Sequence, residues 1–287
     1  MFILRLLSAI ILAGLILAGI YLQGGMGKAV FTFAAVIFSF FAVMEFLDII
    51  SKTGRRSYIF STSLLSTILV LLLIFIRPSV SRFLIIAETG VIMILFCWIL
   101  ILFSRQREDV MGKVINSVSA FVLVTIPLCF MVLIYLIDDV NKECNGRKLL
   151  LYLIAVTKMG DIGAYLIGVT SSKLMPGGNH KIAPSISPKK SWEGTIGGII
   201  FSVAAAIFLI KILPLQYKFS ETYAVFVGII LFIGGFTGDL AESSLKRIAG
   251  VKDSGVIIPG IGGVLDLLDS LIINAPVFYF FLLMSKA

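Results

Sequence analysis

Histidine is almost absent from this chain: His180 is the only one in 287 residues. A multi-histidine metal centre is thereby excluded, and a lone loop histidine is a weak candidate for proton transfer. Cysteine is nearly as scarce. Cys97, Cys129 and Cys144 form no CxxC pair and no disulfide framework, and two of them stand in apolar runs, where cysteine behaves as a small hydrophobe. Charged residues make up 14% of the chain, against about 25% in an ordinary soluble domain. The period-two alternation of an outer-membrane barrel is missing. So is any convincing internal repeat, which weakens an inverted-repeat transporter reading.

What fills the space is apolar. Hydrophobic residues are 59% of the chain and the mean hydropathy is +1.08. A helix needs about 20 apolar residues to cross the hydrocarbon core. Runs of that kind centre on residues 4–22, 30–50, 58–76, 83–103, 114–137, 149–169, 195–213, 223–240 and 256–284. The pattern predicts an all-α polytopic membrane protein with about nine transmembrane helices. The start of the last run, Pro259-Gly260-Ile261-Gly262-Gly263, reads as a loop or broken helix. The first run is too long for a signal-peptide core and no small-residue cleavage site follows it, so it reads as a retained span.

A net charge of +8 would suggest nucleic acid in a soluble protein. Here it fits the positive-inside rule: Lys and Arg are denser at the N-terminus and in the loops after the even-numbered runs. That places the N-terminus and the motif-rich loops in the cytoplasm, and nucleic acid is not an expected partner.

Two regions are expected in one membrane domain: residues 1–150, a five-helix N-terminal region, and residues 151–287, the catalytic region. Carboxylates within the early runs are few. Glu45 and Asp48 are three apart, but Asp48 is also four residues before Lys52, so a local ion pair is the expected role. Glu88 has no evident partner. The later region is dense in glycine, including Gly194-x-x-x-Gly198 and Gly234-x-x-x-Gly238, spacings that suit close helix packing.

Three clusters there carry chemistry. In the first, Lys158 and Asp161 share a helix face, where they either neutralise each other or line a polar cavity. The second is Asn179–Gly194. Pro184 and Pro188 disfavour a helix, Ser185, Ser187 and Ser191 offer hydroxyls, and Lys181, Lys189 and Lys190 offer charge. It is a substrate loop or an ordinary basic loop beside anionic lipid. The third runs from Gly238 to Asp269. Asp239 and Glu242 are three apart, as are Asp266 and Asp269. Like charges at that spacing repel, so these carboxylates need cations. A divalent metal such as Mg²⁺ suits hard oxygen ligands. Direct pairing with Lys246, Arg247 and Lys252 is the alternative.

Together the clusters resemble the phosphatidate cytidylyltransferases, or CDP-diacylglycerol synthases. The string IAPSISPKKSWEG from Ile182 to Gly194 is similar to one family segment. Ser244-Leu-Lys246-Arg247, Lys252-Asp253, Gly255, Pro259-Gly260, Gly262-Gly263, Asp266 and Asp269 follow the family signature, and Asp161-x-x-Ala164-Tyr165 also fits. Ile261 and Leu267 stand where the signature usually has His and Arg. The resemblance covers residues 155 to 275.

The resemblance implies transfer of CMP from CTP to phosphatidic acid, giving CDP-diacylglycerol and pyrophosphate, at the cytoplasmic interface of a bacterial inner membrane. The expected metal ligands are Asp239 and Asp266, with Glu242 and Asp269 supporting them, for one Mg²⁺ or a second cation besides. Lys246 and Lys252 join Asp239, Asp266 and Asp269 as expected catalytic residues. Asp161, Ser187, Lys189, Lys190, Glu193, Arg247, Gly262 and Gly263 are expected to bind the nucleotide. A homodimer is a candidate assembly. A CTP-dependent lipid kinase of the dolichol-kinase kind and an ion-coupled transporter stay open as alternatives.

Overall fold

The computed structural model describes residues 2–22, 25–75, 82–103, 109–137, 145–213, 215 and 220–284. Cys144 and the side chain of Glu88 lie outside the described residues. A backbone surrounded by hydrocarbon must satisfy its own polar groups, and helices do so within one segment. The elements are α1 (Phe2–Tyr21), α2 (Gly25–Lys52), α3 (Ile59–Phe75), α4 (Arg82–Phe103), α5 (Val110–Ala120), a π-helical turn (Phe121–Thr125), α6 (Ile126–Tyr135), α7 (Asn145–Leu174), α8 (Trp192–Ile212), α9 (Glu221–Ile248) and α10 (Val264–Met284). A two-stranded hairpin, β1 (Lys181–Ala183) and β2 (Ser187–Ser191), interrupts them.

Among the described residues the chain is all-α apart from that hairpin. With α5, the π turn and α6 forming one rod, the helices follow the nine apolar runs. Among the described residues, six are long and apolar enough to cross a membrane: α2, the Val110–Tyr135 rod, α7, α8, α9 and α10. Three apolar stretches, Leu6–Tyr21, Ile59–Phe75 and Thr89–Ile99, are shorter. The Gly-rich start of the last run is a turn, and α10 begins only at Val264.

The chain divides into two compact units, and the division interleaves the sequence. One comprises Met1–Val132 with Ile248–Leu268, the other Leu133–Arg247 with Asp269–Ala287. In the first, Leu69, Met93 and Phe121 form a buried cluster. Small hydroxyls join its helices: Thr62 Oγ1 donates to Ser117 Oγ at 2.9 Å, and Ser66 and Thr125 share a bond of 2.7 Å. Lipid is as apolar as leucine, so such bonds and close packing replace the hydrophobic drive between helices.

In the second unit, α10 is pinned by Asn274. Its Nδ2 donates to Thr157 Oγ1 of α7 at 2.8 Å and to the Leu231 carbonyl of α9 at 2.7 Å. Ser202 of α8 donates to the Gly228 carbonyl of α9 at 2.8 Å. Tyr152 stacks on Phe278 with ring centroids 5.7 Å apart. Asn274→Ala removes both donors from a fully buried position and is expected to destabilise the protein by about 1–2 kcal/mol. Unfolding in mixed micelles by increasing SDS measures this; an unchanged midpoint would mean that apolar packing alone holds α10.

Candidate active site

The hairpin is built by its prolines and by the start of α8. Ser191 is the N-cap, and its Oγ accepts the Gly194 N–H at 3.1 Å, satisfying an amide that a helix start leaves open. Glu193, in the first turn, reaches back across the hairpin. It meets His180 Nδ1 at 2.6 Å and accepts the His180 backbone N–H at 3.2 Å. The lone histidine therefore closes the loop together with a residue expected to bind nucleotide. Ser187 is half-buried and Lys189 exposed.

Lys190 points from the hairpin to α9. Its Nζ lies 3.0 Å from Asp239 Oδ2, donates to the Phe236 carbonyl at 3.1 Å and sits 4.2 Å from the Phe236 ring centroid. Arg247 Nε donates to the Ile186 carbonyl at 3.3 Å, joining the far end of α9 to the same hairpin.

Asp239 and Glu242 lie on one face of α9. With Asp269 of α10 they form a group of carboxylates whose ligand oxygens all lie within 4.8 Å of one another. The approach is close because residue 238 is glycine: a Cβ there would run into the Asp269 carbonyl. Glu242 is buried, and Lys246 pairs with it at 2.5 Å. Beside this group, Lys158 Nζ donates to Ser270 Oγ at 2.8 Å and lies 3.4 Å from Asp161 Oδ2, while Ser270 Oγ contacts Asp161 at 3.3 Å. Both readings of the charged clusters thus have substance: lysines pair with Asp161, Asp239 and Glu242, and three carboxylates still converge.

Gly262, Gly263 and Asp266 belong to the first unit, in the turn that precedes α10. The Ile258 N–H donates to the Gly262 carbonyl at 2.8 Å, and Gly262 takes φ +127°, a conformation open to glycine. Asp266 Oδ2 accepts the N–H of Gly263 at 2.7 Å and of Ser254 at 3.2 Å. The carboxylate expected to bind metal is therefore fixed in direction by backbone amides. Lys252 and Asp253 are exposed.

Residue order alone gives no role to Ser254, Ser270 or Glu45. Ser254 and Ser270 are small polar residues with no pattern to mark them. Glu45 did carry a signal: a carboxylate within an apolar run with no base three or four residues away. The expected local ion pair forms between Asp48 and Lys52 at 2.7 Å, and Glu45 takes no part in it.

A family model described as "Cytidylyltransferase family" matches residues 3–285. The chain belongs to the cytidylyltransferase family. Among curated proteins it is 41% identical to the uncharacterized protein YnbB of Escherichia coli (strain K12), over 48% of this chain and 43% of that protein. It is 40% identical to a phosphatidate cytidylyltransferase of Bacillus subtilis (strain 168), over 55% and 54% respectively. A phosphatidate cytidylyltransferase of Staphylococcus haemolyticus (strain JCSC1435) is 42% identical over 46% and 48%. The matched segment spans about half the length of these relatives.

The ion pair from Lys190 to Asp239 predicts how the chain holds its hairpin. Lys190→Met keeps the bulk and removes the charge. Trypsin cleavage at Lys181 and Lys189 is expected to accelerate on the order of 10-fold, consistent with loss of a partly buried pair. An unchanged cleavage rate would assign the hairpin's order to the Ser191 cap, the His180–Glu193 bond and the Arg247–Ile186 bond instead.

Proposed function

We propose that this cytidylyltransferase joins CTP to phosphatidic acid at a membrane surface, releasing pyrophosphate and forming CDP-diacylglycerol. The observation that carries the reading is the convergence of Asp239, Glu242 and Asp269 beside Lys190 and Lys246. Membership of the family and the chain's likeness to two phosphatidate cytidylyltransferases support the choice of substrates.

The lipid phosphate is itself a nucleophile, so no serine or cysteine nucleophile is required. It attacks the α-phosphorus of CTP, and the bond to the β-phosphate oxygen breaks as pyrophosphate leaves. Anion must approach anion, and the difficulty is electrostatic. The three carboxylates fit a divalent cation by their hard oxygens and their spacing, and we propose Mg²⁺ as the native ion, one or two per site. Bound there, the cation would neutralise phosphate charge and orient the triphosphate.

The protein's own groups supply the remainder. Lys190, Lys246, Arg247 and Lys252 are proposed to hold phosphate oxygens. Ser187 and Lys189, on the hairpin that Glu193 closes, are proposed to cover the nucleotide. Asp161, held by Lys158, is proposed to line the cavity. Asp266 is proposed as a further carboxylate for a cation, its orientation set by two amides. Residues 151–287 carry most of these groups, with the catalytic loops proposed to face the cytoplasm. A homodimer is proposed for the assembly.

Purified protein in lipid–detergent micelles with phosphatidic acid, labelled CTP and Mg²⁺ is expected to yield a liponucleotide and pyrophosphate. Asp239→Asn is expected to lower kcat/KM by at least about 100-fold, since metal ligation stabilises the transition state by several kcal/mol. Release of CDP with a phosphorylated lipid would replace this reading with a CTP-dependent lipid kinase.

A further inference from the structure

Glu45 sits within α2, a helix long and apolar enough to cross a membrane, and is only 3% exposed. A buried carboxylate is unfavourable unless its bonds repay the lost hydration. The repayment here comes from a segment over 200 residues away in sequence. Glu45 Oε2 accepts the N–H of Leu265 at 2.8 Å and the hydroxyl of Ser254 at 3.2 Å. Leu265 lies in the first turn of α10, where amide groups lack an intrahelical acceptor and the helix end carries partial positive charge. Glu45 thus caps α10 from another helix.

Ser254 extends the connection. Its Oγ accepts the Asp266 N–H at 3.3 Å, and its own N–H donates to Asp266 Oδ2 at 3.2 Å. Glu45, Ser254 and Asp266 therefore form one chain of bonds through the turn. The glycines on either side leave room for the carboxylate. A Cβ at Gly255 would run into Glu45 Oε1, and one at Gly263 would strike Glu45 Oε2 and Ser254 Oγ. Oε1 itself has no hydrogen-bond partner among the described residues, so Oε2 makes the bonds that matter.

Resting on the proposed reaction, in which Asp266 is a carboxylate for a cation, we infer that Glu45 is a positioning residue, which locks the Ser254–Asp266 turn and with it the direction of the Asp266 carboxylate. It touches no reacting atom. It also gives Gly255 and Gly263 a reason to be glycine that is independent of phosphate: they accommodate Glu45.

The test compares wild type with Glu45→Ala, Glu45→Gln and Ser254→Ala, measuring activity against CTP–Mg²⁺ and amide hydrogen exchange across residues 251–268. Glu45→Ala is expected to raise the half-saturating CTP–Mg²⁺ concentration on the order of 10-fold or more, with a smaller change in kcat, as for loss of a group that orients a ligand. Exchange should accelerate at Leu265 and Asp266. Glu45→Gln keeps an acceptor oxygen and should restore most of both readouts. Should the alanine variant fail to fold, Glu45→Gln and Ser254→Ala carry the comparison, with Ser254→Ala expected to shift half-saturation in the same direction as Glu45→Ala. Faster exchange with unchanged half-saturation would overturn the inference while leaving the proposed reaction intact. A wild-type protein that makes no liponucleotide would overturn the reaction and the inference with it.

Discussion

Crowding of negative charge is the constraint on which the site depends. Asp239, Glu242 and Asp269 place oxygens within 4.8 Å of one another. Two unit charges at that distance repel by roughly 3 kcal/mol even with an effective dielectric of about 20. The fold concentrates this charge deliberately: glycine at 238 lets α9 approach the α10 backbone, and Asn274 pins α10 to α7 and α9. Lys246 and Lys190 offset part of the repulsion through Glu242 and Asp239. A site arranged this way favours cations at the carboxylates and anions at the lysines. A nucleoside triphosphate with its divalent cation has both.

The signature turn obeys a different rule. Its charge is engaged by backbone amides. Asp266 accepts amides from Gly263 and Ser254, and Glu45 accepts one from Leu265. Helix starts expose such amides, and two carboxylates satisfy them. Polar bonds inside a largely apolar chain therefore serve geometry as well as chemistry.

Much of this was legible from residue order. The apolar runs located the helices, because hydrocarbon imposes a minimum length that soluble folds do not. Pro184 and Pro188 mark a non-helical loop, though not its pairing as a hairpin, and the paired spacing of Asp239 and Glu242 marks one face of α9. Two things were not legible. The interleaving of the units, with Ile248–Leu268 joining the N-terminal helices, depends on contacts distant in sequence. The bonds of Glu45 depend on the same contacts: the local pair legible in this stretch is Asp48 with Lys52, whereas Glu45 bonds Ser254 and Leu265. His180 is solitary in the sequence, and its contact with Glu193 across the hairpin is visible only in the fold.

The most direct test of the central claim is cation binding itself. Titrating Mn²⁺ into the purified protein and following free Mn²⁺ by its paramagnetic resonance signal reports binding without any substrate. Wild-type protein is predicted to bind Mn²⁺ in competition with Mg²⁺, and Asp269→Asn to weaken that binding on the order of 10- to 100-fold. Equal Mn²⁺ binding by the wild type and by the Asp239→Asn, Asp269→Asn double variant would contradict the account, because the convergent carboxylates would then not be the cation site.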